Sequence, residues 1–202
     1  EMVAASKLRR AQAQITASRP YFEILRDTID NIVENNRDFS SPYLTSRPVK
    51  KAAYIVIAGD RGLAGGYNSN IFKAVEAYNA DTIIAIGKRA CDRYASQQIK
   101  TETYSYDDAI SLAKELCKDF KDGRYEKIGI VSTKYVSMMT QNEQTEWILP
   151  VVKQNKKSKA DIIYEPDEIT VLEAVMEEYV AGKIVAAARE SFTCEVVARR
   201  FA

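Results

Sequence analysis

The sequence predicts an α/β fold in which a mainly parallel sheet is inserted between two long terminal helices that form an antiparallel coiled coil. Three observations predict it. Apolar residues recur with alternating gaps of four and three along residues 1–39, and at steps of four along 166–202. Between these stretches, short β-branched runs alternate with helical patterns, as strand and helix do in a layered α/β domain. The chain has 202 residues, 46% of them apolar, which is enough to bury a sizeable core. The expected units are a helix at 1–39, a globular domain at 51–152 and a helix at 166–202.

In the first helix the seam is Ala4, Leu8, Ala11, Ile15, Ser18, Phe22, Leu25, Ile29 and Ile32. Pro20 lies inside it and cannot donate to the Thr16 carbonyl, so a kink is expected. The seam keeps its phase across the proline, which favours one bent helix over two. Serines and prolines in "SSPYLTSRPVKK" then make a loop. Strands are expected at 52–58, 82–87 and 127–133, with helices at about 69–79, 88–98 and 106–120, the last closed by Gly123. "EQTEWILP" (143–150) adds an edge strand stopped by Pro150, and the polar stretch 153–161 is a linker. The last helix opens on proline and acids and carries Leu172, Met176, Val180, Ile184, Ala188, Phe192 and Val196. Around Ile184 to Ala188 it is apolar or small on nearly every side, so it must be surrounded. Joined to the domain at one end, the two helices are expected to run away from it side by side. Lys7, Arg9, Arg10, Arg199 and Arg200 would gather at the free end, and Glu165, Asp167, Glu168, Glu173, Glu177 and Glu178 at the other.

Composition excludes several function classes. Lys and Arg number 29 against 28 Asp and Glu, so no overall basic field argues for nucleic acid. There is no histidine, which removes Ser-His-Asp and Cys-His catalysis together with the commonest metal ligand. Cys91, Cys117 and Cys194 are far apart and lack CxxC spacing, against a zinc site or a disulfide framework. No apolar run approaches the roughly 20 residues of a membrane helix. The chain reads as a soluble fragment of a longer protein. Its most suggestive motif is "GDRGLAGGYNSN", four glycines between a strand and a helix. A P-loop needs GxxxxGK[ST], but Gly66 is followed by Tyr67 and Asn68. A dinucleotide fingerprint needs GxGxxG and an acidic residue after the second strand, where Gly87 and Lys88 stand instead. Gly59, Gly62, Gly65 and Gly66 therefore read first as a structural turn.

"EMVAASKLRRAQ", "SRPY", "DRGLAGGYNSNIF", "YEPD" and "ESFTCEVVARR", in that order and over nearly the whole chain, resemble the gamma subunit of the F-type ATP synthase. The resemblance implies a rotor whose two long helices form a shaft inside an αβ hexamer, with a Rossmann-like domain near its foot. It implies no catalytic, cofactor or metal site on this chain, since catalysis belongs to the β subunits. It implies α, β and epsilon subunits and a c-ring as partners, without nucleic acid and without direct membrane insertion. The expected place is peripheral, on the cytoplasmic face of the bacterial inner membrane. By position, Lys7, Arg9 and Arg10 would face acidic loops of β; the plainer reading is a solvated helix face. Tyr164 and Glu165 match the foot on the c-ring, and also suit a helix cap with a packed tyrosine. Where the family pattern has SEQAAR or SEHAAR, this chain has "CEVVAR", so Cys194, Val196 and Val197 alter the packing surface. A redox pair of cysteines is absent, against thiol switching. Family members extend beyond both ends of this sequence. Two other readings stand beside this one: a dinucleotide-binding α/β enzyme with helical dimerisation arms, and an unrelated coiled-coil adaptor.

Overall fold

The computed structural model of the protein describes residues 2–35, 40–78, 80, 82–152 and 162–202, and for residues 2–4 and 15 the backbone. Helix α1, Met2–Asn35, runs unbroken through Pro20. Just before the proline, Thr16 Oγ1 donates to the Gln12 carbonyl at 3.1 Å and Ser18 Oγ to the Gln14 carbonyl at 3.0 Å. Of the expected seam, Ala11, Leu25, Ile29 and Ile32 are buried and Leu8, Ser18 and Phe22 half-buried. The Ile15 side chain, the helix end near Phe39 and the whole of the linker 153–161 fall outside the described residues. After α1, Ser41 caps a single 3-10 turn, Pro42–Leu44, which seats the Tyr43 ring parallel to that of Phe120.

Strands β1 (Ala52–Ile57), β2 (Thr82–Ile86), β3 (Lys127–Tyr135) and β4 (Gln141–Leu149) form one sheet in the order β2-β1-β3-β4. The β1–β2 and β1–β3 pairs are parallel, and β4 is an antiparallel edge. Alternation along β1 divides the core. Ile55 and Ile57 face one side, with α4 (Tyr106–Lys121) and α5 (Glu168–Phe201), while Tyr54, Val56 and Ala58 face the other, with α2 (Tyr67–Glu76) and α3 (Lys88–Arg93). Both faces are covered, as the continuous apolar strand sequences require. Helix α3 stops earlier than its expected end at 98. Ala95 turns into the left-handed region at φ 50° and the Ser96 N–H closes on the Cys91 carbonyl at 3.0 Å.

Helices α1 and α5 lie against each other in opposite chain directions. Tyr21 meets Glu178, Leu8 and Val196 line one cleft, and a Cβ built on Gly182 would fall 1.7 Å from Phe22 Cε1. They do not run away from the domain, as expected from the sequence; the α/β layer lies along them. Lys121 pairs with Glu173 near the start of α5, Tyr135 N donates to Glu190 at 3.0 Å, and Lys7 at the far end of α1 meets Glu102. The reason is in α5. Val180, Ala181, Ile184, Val185 and Ala188 are all buried, a girth of apolar surface that α1 alone cannot cover and that the sheet and α4 complete. Phe201 and Ala5 line the same cleft, so the two helices do reach the same level there. Glu1 lies outside the described residues.

Candidate functional site

The glycine loop leaves the carboxyl end of β1, between β2 and β3, the switch point at which open α/β sheets bind nucleotides. Gly65 has φ 56° and the neighbouring Leu63 φ 57°, so the loop turns sharply before α2. At Gly87, across the same crevice, φ is 94° and a Cβ would lie 1.9 Å from the Ala58 carbonyl oxygen, so only glycine lets β2 end this close to β1.

The anion in this crevice is the chain's own. Glu195, on α5 and 3% exposed, accepts the backbone N–H of Asp60 at 2.8 Å and of Arg61 at 3.0 Å. Those are the amides that a bound phosphate would use. Burial holds the Glu195 carboxyl above its ordinary range, opposed by the Asp60 and Arg61 amides and by nearby Arg199. Asp60 faces the other way and accepts Lys88 N at 3.1 Å, Thr101 N at 2.9 Å, Thr101 Oγ1 at 3.0 Å and Glu102 N at 3.0 Å. Asn68 Oδ1 accepts Gly59 N at 2.9 Å, and Asn68 Nδ2 donates to the Arg61 carbonyl at 3.1 Å. The Tyr67 hydroxyl donates to the Ser191 carbonyl at 2.8 Å. The Gly59, Asp60 and Arg61 amides and the Asp60, Tyr67 and Asn68 side chains are thus taken up by the fold.

Beside the loop a cleft of about 850 Å³ opens between the start of α1 and the end of α5, lined by the half-buried Leu8, Phe192 and Val196 and by the exposed Arg61, Arg199 and Arg200. Lys7 points to Glu102, while Arg9 and Arg10 are exposed. At the opposite end of the helix pair, the half-buried Tyr164 donates to Asn31 Oδ1 at 2.8 Å, and Glu165 is exposed. The two expected partner-contact groups therefore sit at opposite ends. Asp167 caps α5, taking Thr170 N at 2.8 Å. Among the described residues no three His, Cys, Asp or Glu side chains converge as a metal site. No helix among them is long and apolar enough to cross a membrane.

Sequence reasoning assigned no role to Asp60, Glu102 or Glu195. One signal was available for Glu195, a carboxylate between Cys194 and Val196 in a helix that is otherwise apolar or small over much of its surface.

Comparison with known proteins follows the same lines. A family model described as ATP synthase matches residues 1–202. A chain in a structure of the Tetrahymena thermophila mitochondrial ATP synthase central stalk and c-ring is similar with TM-score 0.73 and 17% identity, over 98% of this chain and 93% of that one. A chain in the Euglena gracilis mitochondrial ATP synthase rotor, rotational state 1, is similar with TM-score 0.53 and 15% identity, over 98% and 87%. Another, in the OSCP/F1/c-ring structure of that enzyme in rotational state 3, has TM-score 0.53 and 16% identity, over 98% and 79%. At these identities the likeness is one of fold.

Proposed function

Because the chain belongs to the ATP synthase gamma-subunit family, we propose that α1 and α5 form the antiparallel coiled-coil shaft of the central stalk, with the α/β layer as the body of the rotor. It is a central-stalk subunit of an F-type ATP synthase, and catalysis takes place on the β subunits. Its partners are the α, β and epsilon subunits and the c-ring. In this reading ion flow turns the c-ring, this subunit turns with it, and the shaft drives three β subunits in succession through states of different nucleotide affinity. Hydrolysis runs the cycle backwards. A shaft that favoured one hexamer state by about 1.4 kcal/mol would populate it tenfold, so smooth apolar or charged faces suit a rotor better than deep specific pockets.

The observation that carries the proposal is the family match over residues 1–202. The occupied loop supports it against a dinucleotide enzyme, since Glu195 already fills the anion position. The functional units are 1–39 and 166–202 as shaft and 51–152 as body. Arg9 and Arg10, with Lys7 beside them, face acidic loops of β, and Tyr164 with Glu165 forms the foot toward the c-ring. The subunit belongs to the membrane-associated F1 complex; we place it on the cytoplasmic face of a bacterial inner membrane, which fractionation of native cells tests.

Co-purification with α and β subunits is the deciding experiment, and failure to associate would overturn the proposal. Replacing Arg9 and Arg10 together by Glu is expected to weaken that association most at low ionic strength; an effect independent of salt would count against direct ionic facing. Equilibrium dialysis with ATP or NAD is expected to show no saturable binding, and tight binding abolished by Gly65→Val would favour the enzyme reading.

A further inference from the structure

We infer that the Asp60–Arg61 turn is a coupling clasp, tying both long helices to the α/β layer at one point, through Glu195 on one side and through Glu102 and Lys7 on the other. The inference rests on the central-stalk reading. A rotor body transmits torque only if its shaft cannot slide or twist against it. The apolar packing of α5 on the sheet holds the two together but is non-directional, so it resists separation better than shear. Directional bonds resist shear, and charge-assisted ones in a dry setting are the strongest.

Glu195 makes such bonds. Both of its carboxylate oxygens receive loop amides, and at 3% exposure water competes little for them. The turn passes the restraint on. Asp60 accepts four donors from Lys88, Thr101 and Glu102, which fixes the 101–102 segment to the loop. Glu102 then pairs with Lys7 of α1 and lies 3.9 Å from Arg61. The chain of contacts runs α5, Glu195, Asp60–Arg61, Thr101–Glu102, Lys7, α1. A shift of α5 along the layer must break the buried part of it, while α1 is held through the Lys7–Glu102 pair, whose side chains are 44% and 31% exposed. In this account Glu195 is a positioning residue. The crevice that holds a phosphate in nucleotide-binding proteins built on open α/β sheets here holds the fastening of a shaft.

The test uses the whole complex in membrane vesicles, with ATP hydrolysis and ion pumping measured together. Glu195→Gln keeps the side chain's size but turns one acceptor into an NH2 group facing an N–H donor. Exchange of the Asp60 and Arg61 amides should quicken by about tenfold, the loss of one buried charged hydrogen bond. Hydrolysis per assembled complex should stay near the wild-type rate while ions moved per ATP fall by about twofold or more, a coupling loss rather than a catalytic one. Gly59→Ala attacks the clasp with Glu195 in place, because its added Cβ would come 3.0 Å from Glu195 Cδ and 3.1 Å from Oε2. It should show the same pattern, and it carries the test if Glu195→Gln does not assemble. An unchanged ratio in an assembled variant whose two amides exchange faster overturns the clasp, as does a fallen ratio without faster exchange. Failure of the wild-type chain to assemble or to pump is a separate result and overturns the central-stalk reading instead.

Discussion

Burial pushes the Cys117 and Cys194 thiols up to about 12, so at pH 8 only about one molecule in ten thousand carries a given one of them as thiolate. All three cysteines are free and buried. Iodoacetamide at pH 8 should therefore leave the folded chain unmodified and label all three sites in guanidinium, and intact-mass measurement decides it; rapid labelling of the native protein would show that these sites open easily. Carboxylates at helix starts behave in the opposite sense. Hydrogen bonds from Ser105 hold Asp108 below its ordinary value of 3.8, and Thr170 does the same for Asp167. A carboxylate depressed in the folded state contributes stability above its unfolded pKa and loses it as pH falls through the folded one. Stability should accordingly fall off below about pH 4, and Asp108→Asn combined with Asp167→Asn should flatten that acid limb in a urea-midpoint series; an unchanged slope would remove these caps from the account. The acids at the start of the last helix were read from the sequence, but the Ser105–Asp108 cap was not, although the two are only three residues apart. For Glu195 the only signal was its place in an otherwise apolar stretch of helix; its partners are backbone amides more than 130 positions away, and an amide leaves no mark in a sequence.

Between elements, α1 and α5 approach each other closely at Gly182. A Cβ there would lie 1.7 Å from Phe22 Cε1, far inside contact, so Gly182→Ala must displace the ring. Alanine gains about 1 kcal/mol in helix propensity over glycine, and overpacking typically costs about 1–3 kcal/mol. At so short a distance the second term wins. Gly182→Ala is expected to lower Tm by a few degrees, and Phe22→Leu in the same chain to restore part of the loss; a raised Tm in the single variant would mean that the helices are free to move apart. The strands β1, β2 and β3 were legible because both of their faces are covered, leaving mostly apolar runs, though β3 continues through the polar Ser132, Thr133 and Lys134 past its expected end at 133. Helix α3 was read too long, since the left-handed turn that ends it falls on Ala95 and not on a glycine. The girth of α5 was readable as a demand for cover. Which surface met the demand was not, because Glu190 and Tyr135, or Lys121 and Glu173, are brought together only by the way the layer folds back along the pair.

For the molecule as a whole, the seat of the layer along one flank of the helix pair decides how it moves. An axle with its body to one side is a crank. The sheet and then α2 and α3 stack outward from the pair, and at about 10 Å per layer the outermost helices stand roughly 20 Å from the pair's own axis. Turning about that axis carries a point such as the exposed Gln97 around a wide circle while the exposed Ala17 on α1 barely travels. With the native thiols buried, a cysteine introduced at either position should take a fluorophore by itself. Energy transfer from a dye on a stationary subunit should then rise and fall once per revolution, strongly for the label at 97 and weakly for the one at 17. Equal swings at both would mean that the turning axis lies elsewhere. The swing also has a cost in water: a lopsided rotor sweeps more solvent per turn than a straight spindle of the same mass, so viscosity should slow its fastest steps before it touches the chemistry.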